Sequence, residues 1–308
     1  MGRALSMLFM TAMGACASAA PAAQAAQAAS LPLECRAPHT QTSVVVTRLA
    51  NVPALVRIPT VTTLPPILLW HGFGPPASEQ ALMAALPLDD VPAIKVYLGL
   101  PLFGARMPTR GMAELAERQA EDLGQRVFAP VVMGAADELA SVVDALADAD
   151  CLDRARGVGL FGFSAGGAST LLALADRKVT IRAAVTLNAS TGLAASVAAF
   201  EQASGRTYTW TPAARELANR SDAVLRAKDI AAGDVPPALL IIHGSRDPVL
   251  GPRFAIELHE ALRPRFEQAT AGPRLRLLLL PGLAHTWTDT PQADEVATAV
   301  SQWFRQHL

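Results

Sequence analysis

The sequence predicts one α/β domain with a mostly parallel sheet flanked by helices and a small insertion late in the chain. Three observations lead there. From Leu31 onward, short apolar runs rich in β-branched residues alternate with longer helical stretches, the pattern of strand–helix–strand units. Several of those runs stop abruptly at turns carrying Gly, His, Ser or Asp, the residues that gather at the carboxyl edge of open sheets. Apolar residues fill 51% of the 308 positions and charged residues 17%, ample material for one buried core.

In order, residues 43–47 (SVVVT) and 54–58 (ALVRI) read as leading strands, expected to be antiparallel. Ile67 to Trp70 is a short buried strand that stops at His71-Gly72, residues 77–86 look helical, and Ala93 to Leu98 is the next strand. A long helical stretch from about Met112 to Ala149 carries a break near Pro130. Gly157 to Gly162 is a strand followed by a helix beginning at Ala165; Ala183 to Leu187 and Leu239 to His243 are further strands. Pro252 to Leu262 is a helix, Leu275 to Leu280 a strand, and Ala293 to Gln306 a closing helix. The stretch between Leu187 and Val235, carrying Phe200, Tyr208 and Trp210, is longer than a simple connection. It reads either as a lid over residues 188–235 or as ordinary surface helices.

Residues 1–30 have a separate character. Arg3, the apolar run from Ala4 to Ala15 and A-x-A sites such as Ala17-Ser18-Ala19 follow the order of an export signal, leaving 31–308 as the mature domain. The alternative is a disordered Ala-rich tail or a helical extension. The run is shorter than the roughly 20 apolar residues of a membrane span. Met13-Gly14-Ala15-Cys16 also offers a weaker lipoprotein reading, with Cys16 as the lipidated residue. Export would place the protein in the periplasm or outside the cell, where Cys35 and Cys151 could pair; two unrelated thiols are the other reading. A net charge of −1 and the lack of a basic cluster interleaved with aromatics argue against nucleic-acid binding. No metal-ligand spacing is present.

Four motifs carry chemistry. Gly159-Leu-Phe-Gly-Phe-Ser164-Ala-Gly-Gly167 has the G-x-S-x-G form of a nucleophile elbow, in which small residues at Gly162 and Gly166 let Ser164 project from a tight strand–helix turn. Trp70-His71-Gly72-Phe73-Gly74 ends an early strand. The N–H of Phe73, with that of Ala165, is placed to stabilise an oxyanion, while His71 packs beneath the loop. Gly244-Ser-Arg-Asp247-Pro248 delivers a carboxylate after a buried strand, suited to fixing a histidine tautomer. Leu283-Ala-His285 follows the last strand, and of six histidines only His285 occupies the place that the order Ser…Asp…His requires. Each motif alone has an ordinary explanation as a turn. Their conjunction, in order and each after a strand, does not.

These motifs (HGFG, GFSAGG, GSRD-P and LAH-TW) resemble the α/β-hydrolase superfamily over residues 40–308, and within it the dienelactone-hydrolase and prolyl-oligopeptidase-like serine esterase branch. The resemblance implies an eight-stranded sheet, no cofactor, and acyl transfer with Ser164 as nucleophile, Asp247 as acid, His285 as base, and Phe73 and Ala165 as oxyanion donors. Ser164 stands where dienelactone hydrolases proper use Cys, and His-Gly-Phe-Gly departs from the His-Gly-Gly-Gly of hormone-sensitive-lipase-like enzymes. The expected function is hydrolysis of small or medium carboxylic esters, with Phe73, Phe163 and Trp210 as candidate substrate contacts. A secreted peptidase acting on short peptides and a non-catalytic binding protein on the same fold are the competing readings. Sequence leaves the oligomeric state open.

Overall fold

The computed structural model describes residues 33–35, 40–269 and 271–308. The expected export segment and Cys16 lie outside the described residues. The described chain is an α/β-hydrolase fold: an eight-stranded sheet with helices on both faces. Its strands are β1 (Ser43–Leu49), β2 (Val52–Ile58), β3 (Ile67–Trp70), β4 (Lys95–Leu98), β5 (Val158–Phe163), β6 (Ile181–Leu187), β7 (Ala238–Gly244) and β8 (Leu275–Leu280). They lie in the order β1-β2-β4-β3-β5-β6-β7-β8. β1 and β2 form the antiparallel hairpin expected from the sequence, β2 joins β4 antiparallel, and every later pairing is parallel. Parallel pairing of β3, β5, β6, β7 and β8 brings the residues that follow each strand to one edge of the sheet.

The helices are α1 (Glu79–Ala85), α2 (Gly111–Leu123), α3 (Gly134–Asp148), α4 (Ala165–Asp176), α5 (Leu193–Ser204), α6 (Pro212–Ser221), α7 (Ala227–Ile230), α8 (Arg253–Gln268) and α9 (Ala293–His307). Strand alternation divides the core into two layers. Leu68, Trp70, Leu160, Leu239 and Ile241 face the layer containing α2, α3, α4 and α8. Ile67, Leu69, Phe161, Leu240 and Ile242 face α1 and α9. α4 lies deepest, with every residue from Ala165 to Ala175 buried, so the turn that begins it is held on all sides.

Two local departures from the sequence reading have physical causes. The expected break near Pro130 is a π-helical run, Gly124–Met133, bounded upstream by a kink at Asp122. Wider turns relieve proline of its missing i→i−4 donor, and the Asp122 carboxylate accepts the Gln125 N–H at 3.0 Å as a cap for the new start. α8 continues through Pro264 because Leu258, Leu262 and Phe266 keep one apolar stripe buried past the proline. The segment after β6 forms α5, α6 and α7, with Thr211 capping α6 ahead of Pro212. Cys35 and Cys151 are disulfide-bonded, Cα to Cα 5.0 Å, which fixes the segment before β1 to the turn after α3.

Candidate active site

Ser164 sits between β5 and α4 with φ 54° and ψ −113°, a conformation that L-residues rarely adopt. Two glycines make the turn possible. A Cβ on Gly162 would lie 2.2 Å from the Gly166 carbonyl oxygen, and one on Gly166 would lie 2.4 Å from that of His71. The Ser164 N–H donates to Leu187 O at 3.0 Å, and Gly166 N–H to His71 O at 3.1 Å, so the turn is bonded to the ends of β6 and β3. The side chain of Ser164 caps nothing, and its Oγ stands at the positive end of the α4 dipole.

His285 lies within hydrogen-bond reach of Ser164, Nε2 to Oγ 3.0 Å, while its Nδ1 meets Asp247 Oδ2 at 2.7 Å. A carboxylate can only accept, so Nδ1 carries the proton and Nε2 is left to accept from the Ser164 hydroxyl. Asp247 is buried and fully engaged: its other oxygen, Oδ1, accepts the N–H groups of Val249 and Leu250, both at 2.8 Å. Burial works against charge on this carboxyl. The neighbouring His243 ring, the bond from His285 and its charge, and the Leu250 N–H outweigh that cost and hold the pKa at about 2. His243 is 1% exposed. Its Nε2 donates to Leu250 O at 2.7 Å and lies 3.5 Å from Asp247 Oδ2, bracing the acid loop from behind.

The loop after β3 closes over the turn, with Gly72 so near that a Cβ there would lie 2.9 Å from Ser164 Cβ. The backbone N–H groups of Phe73 and Ala165 have no acceptor among the described residues, as an oxyanion site requires before substrate enters. His71 is fully buried. Its Nδ1 donates to Gly72 O at 2.8 Å and its Nε2 accepts the Leu100 N–H at 3.2 Å, which fixes the neutral tautomer. Burial pushes its pKa down to about 4 despite the opposing bond to Gly72. It therefore acts as a structural tie between the β3 and β4 ends.

The three aromatic candidates fall in different places. Phe73 is half-buried and stacks on Phe103 with centroids 4.9 Å apart. Phe163 is fully buried between the His285 ring, at 5.4 Å, and Trp287, at 6.4 Å, so it supports the histidine and presents no surface to a ligand. Trp210 packs edge-on against Tyr208, whose hydroxyl donates to Asp122 at 2.7 Å, joining the inserted segment to α2. A cleft of about 330 Å³ runs between α5 and the acid loop, lined by Ala198, Ala199, Gln202, Pro248 and Phe254 and touching Asp247; Ser164 and His285 do not line it. Gln202, one of its lining residues, donates to Pro248 O at 3.2 Å.

Sequence reasoning passed over Asn188. It is fully buried at the end of β6 and bonded to the backbone of both the acid and histidine loops. Its position after a core strand, on the same edge as the other motifs, was the available signal.

Residues 133–308 match the model of the prolyl oligopeptidase family, more than half of the chain. No curated protein matches the sequence. Among solved structures, TT1662 from Thermus thermophilus is similar with a TM-score of 0.63 at 20% identity, over 86% of this chain and 98% of that one. Carboxyl esterase 2 from Tuber melanosporum aligns with a TM-score of 0.58 at 19% identity, covering 87% of each chain. Dipeptidyl peptidase 4 from Porphyromonas gingivalis gives 0.57 at 16% identity over 87% of this chain, which spans only 35% of that one. At such identities these likenesses speak for the fold, and the family match speaks for the class. The chain belongs to the prolyl oligopeptidase family and is a serine hydrolase of the α/β class.

Proposed function

We propose that the protein hydrolyses carboxylic esters of small or medium size through an acyl-enzyme formed on Ser164. The observation that carries this is the continuous relay from Ser164 Oγ to His285 Nε2 at 3.0 Å and from His285 Nδ1 to Asp247 Oδ2 at 2.7 Å. As Oγ attacks the ester carbonyl, Nε2 takes its proton, and the buried carboxylate stabilises the imidazolium that forms. Negative charge on the carbonyl oxygen is met by the unsatisfied N–H groups of Phe73 and Ala165, each such donor contributing about 3 kcal/mol in comparable sites. His285 then protonates the departing alkoxide. In the second half, water loses a proton to Nε2 and attacks the acyl carbonyl, and Ser164 leaves with that proton. Phe73, facing Phe103 beside the turn, is the aromatic retained as a substrate contact.

The likeness to a carboxyl esterase aligned over 87% of its own length supports the ester reading. The peptidase reading is kept because the matching family is named for an oligopeptidase. We further propose export of the mature protein, with the Cys35–Cys151 disulfide as support. The test is hydrolysis of p-nitrophenyl esters from acetate to palmitate, beside aminoacyl p-nitroanilides. Turnover of short esters that exceeds that of the anilides supports the proposal; anilide turnover alone replaces it with the peptidase reading.

A further inference from the structure

The geometry points to Asn188 as a positioning residue that sets the His285 loop against the acid loop, and so controls the reach of Nε2 toward Ser164. The inference deepens the reading above and rests on it. Asn188 follows the last residue of β6, at φ 45°, a left-handed conformation that asparagine tolerates better than most residues. Its own N–H donates to Ile242 O at 3.0 Å, seating it beside β7. The side chain then works in two directions. Oδ1 accepts the Gly244 N–H at 2.8 Å, at the start of the turn that carries Asp247. Nδ2 donates to Ala284 O at 2.8 Å and to His285 O at 2.9 Å, so both of its hydrogens hold the loop carrying the base.

The neighbours of Asn188 complete the frame. Leu187 O accepts the Ser164 N–H at 3.0 Å and Ser190 N–H donates to Ser164 O at 3.3 Å. Leu187, Asn188 and Ser190 thus bond between them to the nucleophile turn, the acid turn and the histidine loop. Gly244 and Leu283 approach so closely that a Cβ on Gly244 would lie 2.3 Å from Leu283 O, which leaves the two loops little freedom to slide once Asn188 bridges them. No part of Asn188 is placed at the reacting atoms, and its effect is exerted through His285. The segment also leads directly into α5.

The test compares wild type, Ser164→Ala, Asn188→Gly and Asn188→Asp, with Leu258→Ala in α8 as a variant destabilised away from the site. Glycine keeps the backbone conformation and removes all three side-chain bonds; aspartate keeps an acceptor for Gly244 and loses both donors to the histidine loop. Readouts are kcat and KM on p-nitrophenyl acetate, melting temperature, and the downfield His285 Nδ1–H proton resonance. Misplacing a catalytic group by about 1 Å costs on the order of 100-fold, so both Asn188 variants are expected to lower kcat by roughly tenfold to 100-fold, with KM within about twofold. The resonance should weaken or shift in both variants. Leu258→Ala, at a comparable melting temperature, should keep the wild-type kcat and resonance. Equal kcat in the Asn188 variants and Leu258→Ala overturns the inference. An unchanged rate in Ser164→Ala overturns the underlying reading instead. If neither Asn188 variant folds, rapid solvent exchange of the Asn188 side-chain amide in the native wild type overturns the inference independently.

Discussion

Acidification tests the role of His71 as a buried tie. Burial pushes its imidazole pKa from 6.5 to about 4, against the bond to Gly72. In the unfolded chain the same ring titrates near 6.5, its ordinary value. Between these limits the unfolded chain binds a proton that the folded one refuses. The stability associated with the neutral ring is therefore complete above about 6.5 and is lost as pH falls toward about 4. A gap of about 2.5 units is worth about 3 kcal/mol, and about 2 kcal/mol of it is already lost at a pH of about 5. Urea unfolding of wild type and His71→Asn at pH values of about 7.5 and about 5 isolates the effect, since other titrating groups are common to both proteins. Asparagine offers a donor and an acceptor but does not titrate. Wild type should lose about 2 kcal/mol more than the variant across that interval. Equal losses would refute the assignment of a neutral, desolvated His71.

Other perturbations have equally definite signs. Gly166→Ala forces a Cβ into backbone oxygen, 2.4 Å from His71 O, so it should destabilise by about 1–3 kcal/mol and reduce turnover beyond what lost folding explains, read by denaturation and by kcat. Asp247→Asn keeps the size of the side chain but permits the wrong histidine tautomer, and kcat should fall by about 10⁴-fold with folding intact. Because the Asp247 carboxyl is held at about 2, its contribution to stability is present above about 3.8 and disappears as pH falls through about 2, a loss the asparagine variant should not show in acid titrations followed by circular dichroism. Lys95 is fully buried with Nζ donating to Val91 O, and burial pushes it down to about 8. Lys95→Met should therefore raise stability at neutral pH by about 2 kcal/mol and remove a rise in stability between about 8 and about 10.5, measured by thermal unfolding across that range. Reduction of the Cys35–Cys151 bond, which closes a separation of 116 residues, should lower stability by as much as about 5 kcal/mol, checked by melting with and without reductant.

Much of this fold is legible because its strands announce themselves. β3, β5, β7 and β8 are apolar runs that end in Gly, Ser, His or Asp, and parallel pairing turns four separate sequence motifs into one edge. The proximity of Ser164, Asp247 and His285 was readable for that reason. What sequence did not reveal depends on tertiary burial. Pro264 reads as a helix end until Phe266 is seen to bury beyond it, and Pro130 reads as a break because a π-helical run leaves no periodic signature. Phe163 reads as a substrate contact next to the nucleophile; strand alternation turns it inward beneath His285. Asn188 could be placed at the motif edge from its position after a core strand, but its partners could not be read. Its three side-chain bonds reach residues 56 to 97 positions away, a spacing no local pattern encodes.

The most direct test of the central claim is labelling with a fluorophosphonate probe, followed by mapping of the modified peptide. The reagent needs a serine activated by a histidine and an oxyanion site beside it, and it does not depend on the natural substrate. The account predicts stoichiometric modification at Ser164, abolished in Ser164→Ala and strongly slowed in His285→Ala. An unlabelled native protein, or modification at another serine with Ser164 intact, would contradict it.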